Sequence, residues 1–359
     1  MLDRIATFSG PVQRQSLVGS MQARLDHLVR EVSSGRKSDA DAAAGAGGAS
    51  LLYQLRMQSD RATALKTSVT LAAQRLETAQ SALTGLADVA QPLLGTVRGW
   101  TSAMPQGLAV VAEQARGVLH HVVSLLNTGF AGRAVFGGND ATTPPMRMAD
   151  APDGILAVAR GVLSDAAAAK GGPLTTEDLP ALLHGPDGLS QVFDDTHQDP
   201  TRRYATAAYT GATEEQPTRV LIGARQTVQY DASANQPAFR DLIRGLSMLS
   251  LLDAPSSALD DTARRTLLDQ AADVLGTAHN GLNLLRGGLG AVQARLDAAV
   301  DTQQAAAQAT EAQILSYVQT DTYGNATKIS LLQTQLQATY ALTAQISQLS
   351  LVRYMPNLG

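Results

Sequence analysis

Between Ala62 and Val97 the chain repeats one pattern. Ala62, Leu65, Val69, Ala72, Leu76, Ala79, Leu83, Leu86, Ala90, Leu93 and Val97 follow one another at alternating steps of three and four. Such steps set these side chains along one stripe of an α-helix, and a stripe kept in phase for so long marks helices that pair lengthwise. Shorter seams flank it: Val18, Met21, Leu25, Leu28 and Val32 before it, and Val111, Ala115, Val118, Val122 and Leu125 after it. Near the other end Leu267, Ala271, Val274 and Ala278 lead into Leu282, Leu285, Leu289, Val292, Leu296 and Ala299 on similar steps.

Proline shows where this regime stops. None lies between Pro11 and Pro92 or between Pro255 and Pro356, whereas nine of the 14 fall from Pro144 to Pro237. Proline removes a backbone donor and crowds the preceding turn. The two ends are therefore helical and the middle is not. Pro92 falls inside the longest seam and is expected to kink or divide it near Ala90. After the turn RGWTSAMPQG and one more helix, the glycines of NTGFAGRAVFGGND bracket two short β-favouring runs, which reads as a hairpin. In the middle, TRVLIGA and QTVQYD form a strand pair, and GILAVARGVLSDAAAAKGG reads as a short helix bounded by glycine.

The last helix carries two stripes. One holds Ile329, Leu332, Leu336, Thr339, Thr343 and Ile346, the other Leu331, Ala338, Leu342, Leu349 and Val352. Two stripes call for more than one partner. From Thr322 to Val352 the only formal charge is Lys328, and Gln, Ser and Thr supply the polar face. A solvated helix ordinarily carries Glu and Lys four residues apart, so this one is expected to be enclosed by other protein.

These readings give a mainly α fold: a long coiled-coil helical hairpin formed by the N- and C-terminal regions, with a small β-containing outer domain inserted in the middle. Residues 1–36 with 320–359 form an inner terminal rod, 45–145 with 238–312 a helical bundle bearing the hairpin, and 146–237 the outer domain. The residues expected to make the subunit interface are Val18, Met21, Leu25, Leu28, Val32, Ile329, Leu332, Leu336, Leu342, Ile346 and Leu349. Stripes left open by the hairpin must meet other copies, and a head-to-tail contact that does not close builds a helical polymer.

Composition limits the other options. With 359 residues and a net charge of −4, the chain has no general pull toward nucleic acid or an anionic membrane surface. Arg24, Arg30, Arg36, Lys37, Arg56 and Arg61 are accompanied by Asp and Glu, which reads as a solvated face. There is no cysteine, which removes disulfides and thiolate chemistry. No uncharged apolar run reaches membrane-spanning length, and MLDRIATFSGPVQRQ lacks the apolar core of a secretory signal peptide. Export, if it occurs, is expected to take another route. Asp194, Asp195, His197 and Asp199 in DDTHQD have the chemistry of metal ligands, but they lack a second ligand cluster and read as a solvated loop. His120 and His121 point about 100° apart on a helix. GAGGAS has neither a phosphate-loop lysine nor a complete dinucleotide fingerprint, and no hydrolase or kinase signature is found. No catalytic residues and no cofactor are assigned.

EVSSGRKSDADAAAGAGGASLLYQLRMQ, residues 31–58, resembles the N-terminal block of bacterial flagellins and their hook-associated relatives. LLNTGFAGRAVFGGNDATTPP, residues 125–145, is similar to the segment that opens the outer domain in the hook-associated branch. GGLGAVQARLDAA and KISLLQTQLQATYALTAQISQLSLVRYM are similar to the family's C-terminal block. The resemblance covers both ends and does not reach residues 150–200. It implies a structural subunit of the flagellum, with RAVFGGND and SLVRYM favouring the branch that joins hook to filament; SSGRKSDADAAAG and the trailing PNLG depart from the usual pattern. Filament flagellin, or a coiled-coil tether displaying an adhesive or receptor-binding middle domain, are the alternatives. The implied partners are other copies of the chain, other hook-associated proteins, flagellin and an export chaperone, with no nucleic acid and no membrane insertion. The implied location is the extracellular flagellum, reached without a cleavable signal. In this reading the Gly, Ser and Asp stretch after Val32 is a spoke between an inner and an outer layer, with Asp39 and Asp41 at the start of the resuming helix. The charge-poor tail would line a channel.

Overall fold

The computed structural model describes residues 3–38, 45–99, 107–138, 142–212 and 217–354, and its side-chain description omits a few helical positions nearest the ends of these stretches. Asp39 and Asp41 lie outside the described residues, as does most of the turn RGWTSAMPQG. By internal contacts the chain divides into a terminal unit, residues 1–63 with 304–359, and a middle unit, residues 64–303.

In the terminal unit, α1 (Asp3–Ser34) ends at Gly35, whose φ of 68° lies in the left-handed region. A Cβ there is disfavoured, so glycine lets the helix stop and the chain turn. The first part of α2 (Gly45–Arg98) and the last part of α9 (Asp261–Val318) enclose a small apolar cluster of Leu52, Leu55, Ile314 and Val318. The final helix, α10 (Thr322–Tyr354), packs along α1.

In the middle unit, α2 runs on through Pro92 without a break. The proline does not divide the helix. Its ring is on the exposed face, as is Asp88 one turn back, so the carbonyl left without a donor can be hydrated while Leu93 and Leu94 stay buried. α3 (Gly107–Leu126) buries Leu108, Val111, Ala115, Leu119, Val122 and Leu126 along one face. The hairpin then forms as expected, with β1 (Gly129–Phe130) antiparallel to β2 (Arg133–Ala134). Its two turn residues, Ala131 and Gly132, both have positive φ, at 50° and 75°, the combination that matches a tight turn to the strand twist. Arg75 of α2 donates to the carbonyls of Ala134 and Val135, at 3.0 and 3.2 Å, and holds the hairpin down.

α4 (Ile155–Lys170) is closed by Gly171 at φ 77°. Three short helices follow, α5 (Leu179–His184), α6 (Leu189–Phe193) and α7 (Tyr204–Ala207). The strands β3 (Thr218–Leu221) and β4 (Thr227–Tyr230) pair antiparallel, with Val220 opposite Val228. α8 (Pro237–Ser250) packs on α3. One apolar core joins all of this: Leu76, Leu83 and Leu86 of α2, Leu119 of α3, Phe136, Phe193, Tyr204, Phe239 of α8 and Leu267 and Leu282 of α9. Phe136 meets Phe239 edge to face at 5.7 Å, and Arg240 lies over the Tyr204 ring at 4.9 Å. Glycine in α9 has two uses. A Cβ on Gly281 would come within 3.0 Å of the Ala238 Cβ, so close helix approach depends on it, whereas Gly287 and Gly288 face open space.

Candidate assembly interface

The terminal unit contains the residues expected to make the interface. Where α1 and α10 pack, Leu28, Leu332 and Leu336 are buried, at 8%, 9% and 6% exposure. Val18, Met21, Leu25, Val32 and Ile329 are half-buried. Leu342 and Ile346 stand exposed at 58% and 43%, and the side chain of Leu349 lies outside the described set. Outward from the same pair point Leu17, Val29, Leu331 and Tyr340. The structure thus brings Ile329, Leu332 and Leu336 of the first α10 stripe against α1, leaves the end of that stripe at Thr343 and Ile346 exposed, and leaves Leu331 and Leu342 of the second stripe facing solvent. Gln22 of α1 donates to the Tyr340 hydroxyl at 2.7 Å, so the two helices run antiparallel well beyond their junction.

At that junction sits a polar knot that the apolar pattern did not announce. Glu31, one turn before the end of α1, is 8% exposed. Its carboxylate accepts from the Ser38 backbone N–H at 2.9 Å and from Asn325 Nδ2 at 3.0 Å, with the Thr320 hydroxyl at 3.5 Å. Asn325 Nδ2 is also 2.8 Å from Thr320 Oγ1, and both residues are buried. Backbone bonds close the knot from Lys37 N to Val318 O at 2.8 Å and from Thr320 N to Gly35 O at 3.1 Å. Lys37 Nζ reaches the Tyr317 carbonyl. The Ser38 N–H holds the Glu31 carboxyl below the usual carboxylate range, burial opposes it, and His27, Asn325 and Thr320 assist. The carboxylate also lies against the first turn of α10, where the helix dipole favours negative charge. Sequence reading missed Glu31, Thr320 and Asn325, although Glu31 opens the very stretch that carries the family resemblance.

Arg36, Lys37 and Arg56 line a shallow cleft with Asp60 and Glu311, a mixed-sign surface. The residues of DDTHQD are engaged in local structure. His197 Nδ1 accepts from the Asp199 N–H, Asp195 accepts from Ala205 N and pairs with Arg240, and Asp199 accepts from Thr201. Among the described residues no group of three His, Asp or Glu side chains could hold a metal ion, and no helix is long and apolar enough to cross a membrane.

Two terminal helices closed on one side and open on the other define a structural subunit with an unfinished helical surface. Residues 5–141 match the model of the bacterial flagellin N-terminal helical region and residues 272–355 that of the C-terminal helical region, together more than half of the chain. The chain belongs to the bacterial flagellin family and is a structural component of the flagellum, an extracellular appendage. No curated protein matches it in sequence. Among solved structures it is similar to the crystal structure of Bacillus cereus FlgL, at 14% identity and TM-score 0.37, over 72% of this chain and 100% of that one. It is also similar to a candidate flagellar hook-associated protein from Vibrio parahaemolyticus, at 13% identity and TM-score 0.26, over 78% of this chain and 96% of that one. Both superpositions are loose.

Proposed function

We propose that the chain is the junction subunit that links the flagellar hook to the filament by helical polymerisation, through other copies of itself, other hook-associated proteins and flagellin, after delivery by an export chaperone. The observation that carries the assembly part is the open surface of α10: Leu331, Leu342 and Ile346 face solvent on a helix whose only formal charge up to Val352 is Lys328. A surface of this kind is stabilised by neighbours, since apolar area left in water gains about 25 cal/mol per Å² when covered. Val18, Met21, Leu25, Leu28 and Val32 with Ile329, Leu332, Leu336, Leu342, Ile346 and Leu349 are the interface residues of this reading. Residues 1–36 with 320–359 form its inner layer, 45–145 with 238–312 its outer bundle and 146–237 the part displayed to the surroundings.

The choice of junction over filament is supported by RAVFGGND, which folds as β2 and the buried Phe136 and leads straight into the middle segment. Deleting the gene and imaging the cell surface tests it. Hooks without filaments are expected. Filaments of normal form would overturn the junction and filament roles together, and loss of the filament subunit alone, with the junction intact, would select filament flagellin.

A further inference from the structure

The apolar seam between α1 and α10 does not by itself choose an alignment. Its buried members are leucines spaced about a turn apart, and a slide of one heptad would put similar side chains opposite one another. The backbone bonds at 35–37 and 318–320 use groups that every residue has, so they too can re-form out of place. Glu31 differs. Its carboxylate is buried, and in the observed alignment it meets the Ser38 N–H of its own segment and two side-chain donors, Thr320 and Asn325, that lie 289 and 294 residues away in sequence. In any other alignment it would keep the Ser38 N–H and His27 of its own segment but lie against α10 without Thr320 and Asn325, and a buried carboxylate that loses two of its donors is destabilised.

We infer that Glu31 is the register-determining residue of the terminal helix pair: its carboxylate, received by Ser38, Thr320 and Asn325, fixes α1 and α10 in one alignment. Asn325 is oriented for this task by Lys328, which donates to its Oδ1 at 3.3 Å while Nδ2 faces Glu31. The role concerns contacts within one copy, so it stands apart from the junction assignment. It bears on assembly because the exposed stripe of α10 can match a neighbour only if every copy presents it at the same height.

The absence of cysteine makes a direct test clean. Spin labels are placed on cysteines introduced at the exposed positions Gln15 and Gln333 in the full chain, and their distance distribution is measured in the parent, in Glu31→Gln, in Asn325→Asp and in the double variant Glu31→Gln/Asn325→Asp. A one-heptad slide changes the separation along the pair by about 10 Å. The parent is expected to give one narrow population. Glu31→Gln leaves an amide NH2 facing either the Ser38 N–H or the Asn325 donor, and Asn325→Asp sets two carboxylates face to face, so each single variant is expected to add a displaced population or to lose the ordered one. The double variant reverses donor and acceptor and is expected to restore the single distance. Either of two results overturns the inference: single variants indistinguishable from the parent, or a double variant no better than the singles. Comparison with the double variant also covers the case in which Glu31→Gln leaves the ends unfolded.

Discussion

The terminal and middle units differ in how completely one copy satisfies their apolar faces. In the middle unit a single core runs through α2, α3, α8, α9 and the intervening loops, with Phe136, Phe193, Tyr204 and Phe239 at 1% exposure or less. In the terminal unit the described core is Leu52, Leu55, Ile314 and Val318, with Leu28, Leu332 and Leu336 where α1 meets α10. Long helices gain most of their stability from packing of an apolar face. In the proposed reading the terminal unit, which packs one face and exposes the other, is completed by neighbouring copies, whereas the middle unit closes its core within one copy.

The largest effect that could break this contrast comes from the middle core. Phe239→Ala removes a ring that meets Phe136 edge to face, and it is expected to cost about 3–5 kcal/mol. Urea unfolding followed by near-ultraviolet signals of the middle unit measures it. A much smaller loss would mean that this core is as loosely closed as the ends.

Next in size, Leu336→Ala is expected to cost the terminal unit about 2–5 kcal/mol in local stability, because Leu336 is buried between α1 and α10. Leu342→Ala, on the open stripe of the same helix, should change the free chain by less than about 0.5 kcal/mol while slowing growth onto pre-formed polymer. Hydrogen exchange of residues 322–346 reads the first effect, and seeded polymerisation the second. Equal losses in the free chain would show that both stripes close within one copy.

How much of this was legible in the sequence follows from the same contrast. Stripes at heptad steps could be read because one face repeats its instruction at every turn, and the hairpin because Ala131 and Gly132 sit between β-favouring runs. The packing of the middle could not, since α5, α6 and α7 are six residues or fewer and too short to show a period. Glu31, Thr320 and Asn325 stayed hidden for a different reason. Each resembles a surface residue locally, and only the fold brings them together.

Acid separates the two units through sign as well as size. The Glu31 carboxyl is held down chiefly by the Ser38 N–H, so its contribution is fully present above the usual 4.5 and is lost as pH falls through its lower folded value. In the middle unit Asp178 is drawn down to about 2 by Lys170 and the two donors of Thr175. Asp241 is pushed up by burial despite Arg244, so its protonation relieves a cost. Exchange protection of residues 322–340 is therefore expected to fall below about pH 4.5 before that of α8 does. Glu31→Gln should flatten the terminal profile and leave the middle one unchanged. A terminal profile that keeps its slope without this carboxyl would move the acid sensitivity elsewhere.

A small effect sharpens the comparison most, because it changes no contact that one copy makes. Gly19 in α1 and Gly287 in α9 both lie inside helices with nothing within 4 Å of where a Cβ would stand. Alanine at either position should stabilise the free chain by roughly 1 kcal/mol through helix propensity alone. Gly19, however, lies next to Leu17 and Val18 on the helix that is short of partners, where a neighbouring copy would press against the backbone. Gly19→Ala is thus expected to raise helix content in the monomer and to weaken polymer growth, and Gly287→Ala to raise stability without that penalty. Circular dichroism of the monomer alongside a critical-concentration measurement distinguishes the two. If Gly19→Ala helped both measurements, α1 would meet no neighbour at that level and the unfinished surface would belong to α10 alone.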